Sequence, residues 1–150
     1  MPYKFVSMAV AAAFAISSPA NAATYSCKIS PKAGAGLYSG VTPTQMTVTI
    51  SNVGRVVVSD NVTKKAGRNS VDGKLGRRIG STQLFSWKLA PVPRDMLPPN
   101  ETKFYEPTVN YRARLDTKTG KFSMRGDFVT RVSSANGGLN MQGFGTCRSE

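Results

Sequence analysis

Histidine is absent from this 150-residue chain, and acidic residues number only 8 against 20 lysines and arginines. The first absence removes Ser-His-Asp and Cys-His nucleophilic sites and nearly all zinc-hydrolase chemistry, because each needs an imidazole as base or ligand. The second leaves little material for a two-carboxylate mechanism. Asp72, Asp95, Glu101 and Asp116 fall in predicted loops or turns and Glu150 is terminal, so Glu106 and Asp127 are the candidate acids near strands. A loop-end charge and a surface partner for a basic neighbour account for both. Asp60 and Asp72 lack the acidic alternation of a calcium loop, and the glycines of residues 73–80 are not followed by the Lys-Ser/Thr of a phosphate loop. The chain reads as non-enzymatic, with no cofactor and no metal.

Long apolar runs are equally scarce. One occupies residues 5–16, behind Lys4 and ahead of the breaking sequence Ser17-Ser18-Pro19 and the A-x-A site Ala20-Asn21-Ala22. It is too short to span a bilayer and has the form of a signal peptide, cleaved after residue 22. No cysteine stands at the cut to accept a lipid, and no later stretch approaches the roughly 18 apolar residues of a membrane helix. The sequence therefore predicts a single domain, 23–150, in the periplasm or outside the cell. Leu, Ile, Val and Phe make up only about a fifth of it, a thin supply for a core. The two cysteines, Cys27 and Cys147, offset this. In an oxidising compartment an even count predicts a disulfide, and closing a loop of about 120 residues is worth on the order of 5 kcal/mol in the chain-entropy model.

What is present follows a period of two. Met46, Val48 and Ile50 alternate with Thr47 and Thr49; Phe85, Trp87 and Leu89 alternate with Ser86 and Lys88. Residues 23–30, 45–50, 55–59 and 82–89 read as strands. The turn Asp116-Thr117-Lys118-Thr119-Gly120 sets a hairpin in which Leu115 faces Phe122, Ala113 faces Met124, Tyr111 faces Gly126 and Val109 faces Phe128. That register puts every apolar residue on one face, and a slip of one would expose them all. The second arm continues towards Val132, residues 133–138 turn, and a last strand ends at Cys147 with Gly143 and Gly145 marking a bulge or bend. No segment has the 3.6 period of an amphipathic helix. The expected fold is all-β: a small antiparallel meander barrel or strongly curved sheet of about seven strands, with a two-sheet sandwich as the alternative. Residues 63–80 and 90–106 read as long loops.

Tyr25-Ser26-Cys27 in the first strand and Gly145-Thr146-Cys147 in the last resemble the ends of small periplasmic β-barrels such as the membrane-bound lysozyme inhibitor family. The resemblance covers about six residues and implies a meander barrel closed by a terminal disulfide. It implies shape and not activity, since a domain this basic would repel a cationic lysozyme.

Charge is the one positive functional signal. Removing Lys4 with the signal leaves 19 basic and 8 acidic residues, a net charge of about +11. Lys64, Lys65, Arg68, Lys74, Arg77 and Arg78 lie in one segment, read as a loop kept flexible by Gly67 and Gly73. In the hairpin register Arg112 stands opposite Arg125, with Arg114 and Lys121 nearby and Asp127 as partial compensation. Like charges directly across a strand pair are destabilising, so this placement invites an anionic ligand such as envelope lipid phosphate or a polyanion. Export, and the lack of aromatics interleaved with the basic residues, argue against nucleic acid. A second reading is a protein-binding or inhibitor-like module that uses the proline-stiffened loop 90–99, with Arg94, Met96 and Leu97 presented to a partner.

Overall fold

A computed structural model describes residues 21–32, 35–97, 107–129 and 141–150. The body of the predicted signal segment, Glu101, Glu106 and the predicted turn at 133–138 lie outside the described residues. Eight strands follow in order: β1 (Ala22–Pro31), β2 (Gln45–Ser51), β3 (Arg55–Asp60), β4 (Val71–Ile79), β5 (Thr82–Leu89), β6 (Thr108–Asp116), β7 (Lys121–Val129) and β8 (Met141–Ser149). Each pairs antiparallel with the next, and β8 returns to β1, closing an up-and-down barrel. The expected all-β meander barrel is therefore found, with eight strands rather than seven, and the sandwich is excluded.

The additional strand is β4, in the segment expected to be a loop. Only Val71, Gly73 and Leu75 of its first half point inward, and each is merely half-buried. Gly73 is present for close approach rather than flexibility. A Cβ there would lie 2.8 Å from the Ser86 carbonyl oxygen and 3.0 Å from Val56 Cγ1. A register shift between Leu75 and Arg78 places a bulge in β4. The bulge expected at Gly143 and Gly145 is absent, since β8 keeps unbroken register with β7 and β1. Gly145 instead clears the Lys28 carbonyl of β1.

The β6–β7 hairpin has the predicted register, including Leu115 with Phe122, Tyr111 with Gly126 and Arg112 with Arg125. The staple is also as predicted. Cys27 and Cys147 face each other directly in the β1–β8 ladder and are joined by a disulfide. Seam and cross-link therefore coincide, and the bond is consistent with an oxidising compartment.

The interior is filled by side chains. Phe85, Trp87 and Tyr111 stack in sequence, with centroid separations of 5.7 and 4.9 Å, and Phe122 lies 6.4 Å from Phe85. Tyr111 is fully buried and donates its hydroxyl hydrogen to the Val41 carbonyl at 2.6 Å. The two ends of the barrel differ. Tight turns with glycine at positive φ (Gly54, Gly80 and Gly120) join strands at one end. At the other, 3₁₀ turns at Ala35–Val41 and Arg94–Met96 and a short helix α1 (Asn61–Lys65) fold over the core. They bury Val41, Val62, Val92, Met96 and Leu97. Met96 and Leu97, expected on an exposed loop for a protein partner, are thus corrected to core residues, 4% and 8% exposed. Of the three proposed anchors only Arg94 faces solvent.

Candidate anion-binding face

Strand pairing arranges outward side chains in rows that cross the wall. One row runs Arg55 (β3), Lys74 (β4), Ser86 (β5), Arg112 (β6), Arg125 (β7) and Gln142 (β8), each opposite the next. The adjacent row runs Leu84 (β5), Arg114 (β6), Ser123 (β7) and Phe144 (β8). Neighbouring strands lie about 4.8 Å apart and alternate residues of one strand about 6.7 Å apart. The backbone origins of Arg112, Arg114 and Arg125 are therefore within one side-chain length of one another. All three, with Lys74, are exposed.

Two carboxylates, Asp72 and Asp127, stand beside the basic row on this wall. Asp72 meets Arg55 at 3.3 Å, with both side chains largely exposed, and Asp127 meets Arg125 at 3.7 Å. Exposed pairs of this kind contribute little. Asp127 is the surface partner for a basic neighbour that its position in the hairpin predicted.

The basic segment 64–78 is not one site. Lys64 and Lys65 end α1 and Arg68 follows it, at the long-connection end, where an Arg68 guanidinium nitrogen donates to the Ala90 carbonyl. Lys64 borders a polar groove of about 300 Å³ with Lys28, Gln45 and Thr47, on the wall facing away from β6. Arg78 lies at the opposite end, where Nε donates to the Gly80 carbonyl at 3.0 Å. Arg77 is exposed beside it. Lys74 alone of that segment joins the arginines of the hairpin. Arg55, which the sequence did not single out, joins it from β3.

Besides a broad groove of about 500 Å³ bordered by Arg114, Asp116, Lys121 and Phe144, two grooves score this wall. One, of about 340 Å³, lies between Lys74 and Arg112 over Ser86 and is bordered by Asp72, Lys88 and Asn110. The other, of about 380 Å³, lies among Arg112, Arg114 and Arg125 and is bordered by Leu84 and Phe144. No carboxylate lines the second groove.

The other acids have structural tasks. Asp60, 1% exposed, caps α1 and accepts from the Thr63 amide at 2.7 Å and the Thr63 hydroxyl at 2.9 Å. Burial raises its pKa above the ordinary value, partly opposed by these bonds. The Trp87 indole also favours the charged form, although its Nε1 makes no hydrogen bond of normal length. Asp116 accepts from the Lys118 and Thr119 amides in the β6–β7 turn, which lowers its pKa to about 2. Among the described residues no group of three or more His, Cys, Asp or Glu side chains could hold a metal ion, and no helix is long and apolar enough to cross a membrane. The chain matches no family model, and no curated protein or solved structure is significantly similar to it.

Proposed function

We propose that the mature chain is an exported, non-enzymatic binding domain of the periplasm or extracellular space that engages an anionic component of the cell envelope. The contact surface is the outer wall of β4–β7, formed by Lys74, Arg112, Arg114 and Arg125. The observation that carries this reading is the direct pairing of Arg112 with Arg125, flanked by Arg114 on the same strand. An outer strand face needs only polar side chains to be wetted. Opposed arginines cost stability in the free protein, an effect Asp127 offsets at Arg125, and an anion spanning the pair adds charge-assisted hydrogen bonds. The filled interior supports a surface site rather than an enclosed one. Loss of Met96 and Leu97 to the core leaves the protein-binding alternative without its apolar anchors.

The test is titration of the mature protein with lipopolysaccharide and with vesicles containing anionic phospholipid, at low and at high salt. Binding is expected to weaken steeply as salt rises, and to fall on the order of 30-fold when Lys74, Arg112, Arg114 and Arg125 are replaced by serine. Unchanged binding by that variant refutes the assignment.

A further inference from the structure

We propose that the groove between Leu84 and Phe144 is a subsite for an acidic sugar unit, carboxylated or phosphorylated, rather than for a lipid chain. This rests on the reading of the β4–β7 wall as an anion-binding surface and names the ligand chemistry. Among the described residues Phe144 is the one aromatic in the set of large apolar residues that stand exposed, at 54%, and its cross-strand neighbours are Ser123 and Ser30. A phenyl ring held open among hydroxyls is a poor start for an apolar contact and a good platform for the C–H face of a pyranose. Ser123 and Gln142 supply hydroxyl and amide groups at the same groove, and Arg112, Arg114 and Arg125 supply guanidinium donors. Polar groups arranged around one flat apolar surface fix the orientation of a small polar ligand.

Size and charge agree. Leu84 and Phe144 are three strands apart in one row, about 14 Å along the wall. That length suits two sugar rings. Leu84 and Phe144 alone make no trench for an acyl chain. Their separation by Arg114 and Ser123 breaks any continuous apolar track.

The experiment titrates the mature protein with three probes. They are a tetramer of galacturonic acid, a glucosamine disaccharide bisphosphate without acyl chains, and vesicles of anionic phospholipid. Neutral chitotetraose serves as a control. At least one acidic saccharide is expected to bind, with the neutral one silent, and the better of the two identifies the acid. Phe144→Ala and Phe144→Leu should both weaken saccharide binding by about tenfold, because leucine keeps apolarity but not the flat ring. Both should leave vesicle binding and thermal midpoint nearly unchanged. Saccharide affinity indifferent to Phe144, or vesicle binding without saccharide binding, overturns the subsite and leaves the basic wall standing. Failure of all charged probes overturns both.

Discussion

The outer walls of β1–β2 and of β6–β7 solve the same folding problem with different chemistry. On β1 and β2 the outward positions are Thr24, Ser26, Ser30, Thr47 and Thr49, with Lys28 the one charged side chain among them, and the Thr24 and Thr49 hydroxyls meet at 3.2 Å. On β6 and β7 the equivalent positions hold Arg112, Arg114, Lys121 and Arg125, beside Asn110, Ser123 and Asp127. Both walls cover the same core, and both keep unbroken register. Threonine and serine suffice to wet a strand of this barrel and suit β structure better than long charged side chains. Arginine on the second wall is therefore not required by the fold, and a requirement of binding explains its like-charge pairing.

Binding should break the symmetry of this comparison most strongly. Replacing Lys74, Arg112, Arg114 and Arg125 by serine, so that the second wall imitates the first, is expected to cut affinity for an anionic envelope probe on the order of 30-fold. Circular dichroism should show the barrel intact. The seam between the two walls supplies the largest stability effect. Cys27→Ala with Cys147→Ala should cost about 3–5 kcal/mol in denaturant unfolding, since it releases a loop of 120 residues.

A smaller and sharper effect separates the walls by sign. Arg112→Gln should stabilise the protein by a few tenths of a kcal/mol while weakening binding, because it relieves repulsion from Arg125. Thr49→Ala on the other wall should destabilise by about 0.5 kcal/mol, through loss of its contact with Thr24. A destabilised Arg112→Gln would mean that the arginine pair serves the fold.

Asp60, buried at one end of the barrel, and Asp116, in a turn at the other, should respond oppositely to pH. Asp116 titrates near 2 in the folded protein, so its contribution is complete above the ordinary value of 3.8 and is lost as pH falls from there towards 2. The folded-state pKa of Asp60 is raised, so between 3.8 and the raised value the native state holds a proton that the unfolded chain has released. Its contribution to stability falls as pH rises from 3.8 through the raised value. Thermal midpoints between pH 2 and 7 should therefore show a shallower acid limb in Asp116→Asn and a smaller loss on the alkaline side in Asp60→Asn.

Much of the β5–β7 wall was readable in sequence because a five-residue turn fixes the register of two strands, and register dictates which residues share a face. Arg112, Arg114 and Arg125 followed from Asp116 and Gly120. β4 was hidden because its inward positions are Val71, Gly73 and Leu75, too little apolar surface for a visible alternation, and because its glycines mimic a loop. That omission carried others with it. With β4 read as a loop, residues 64–78 formed one basic cluster, whereas the strand from Val71 to Arg78 holds the two ends of that cluster about 20 Å apart. Arg55 was missed for the same reason, since only β4 links it to the row of Arg112. Phe144 looked like an ordinary strand residue because exposure of a single side chain depends on closure between β7 and β1. Met96 and Leu97 were misplaced because prolines report a stiff backbone and not the direction in which it turns.

The most direct test of the wall holds net charge constant and varies position. Two variants each lose four charges: Lys74, Arg112, Arg114 and Arg125 to serine in one, and Lys64, Lys65, Arg77 and Arg78 to serine in the other. Their affinities for lipopolysaccharide are compared at physiological ionic strength, where the screening length is about 8 Å. Loss of roughly 30-fold in the first and no more than about threefold in the second is expected, since diffuse attraction alone is weak and screened. Equal losses would show that binding follows net charge, and that the row from Arg55 to Arg125 is no site.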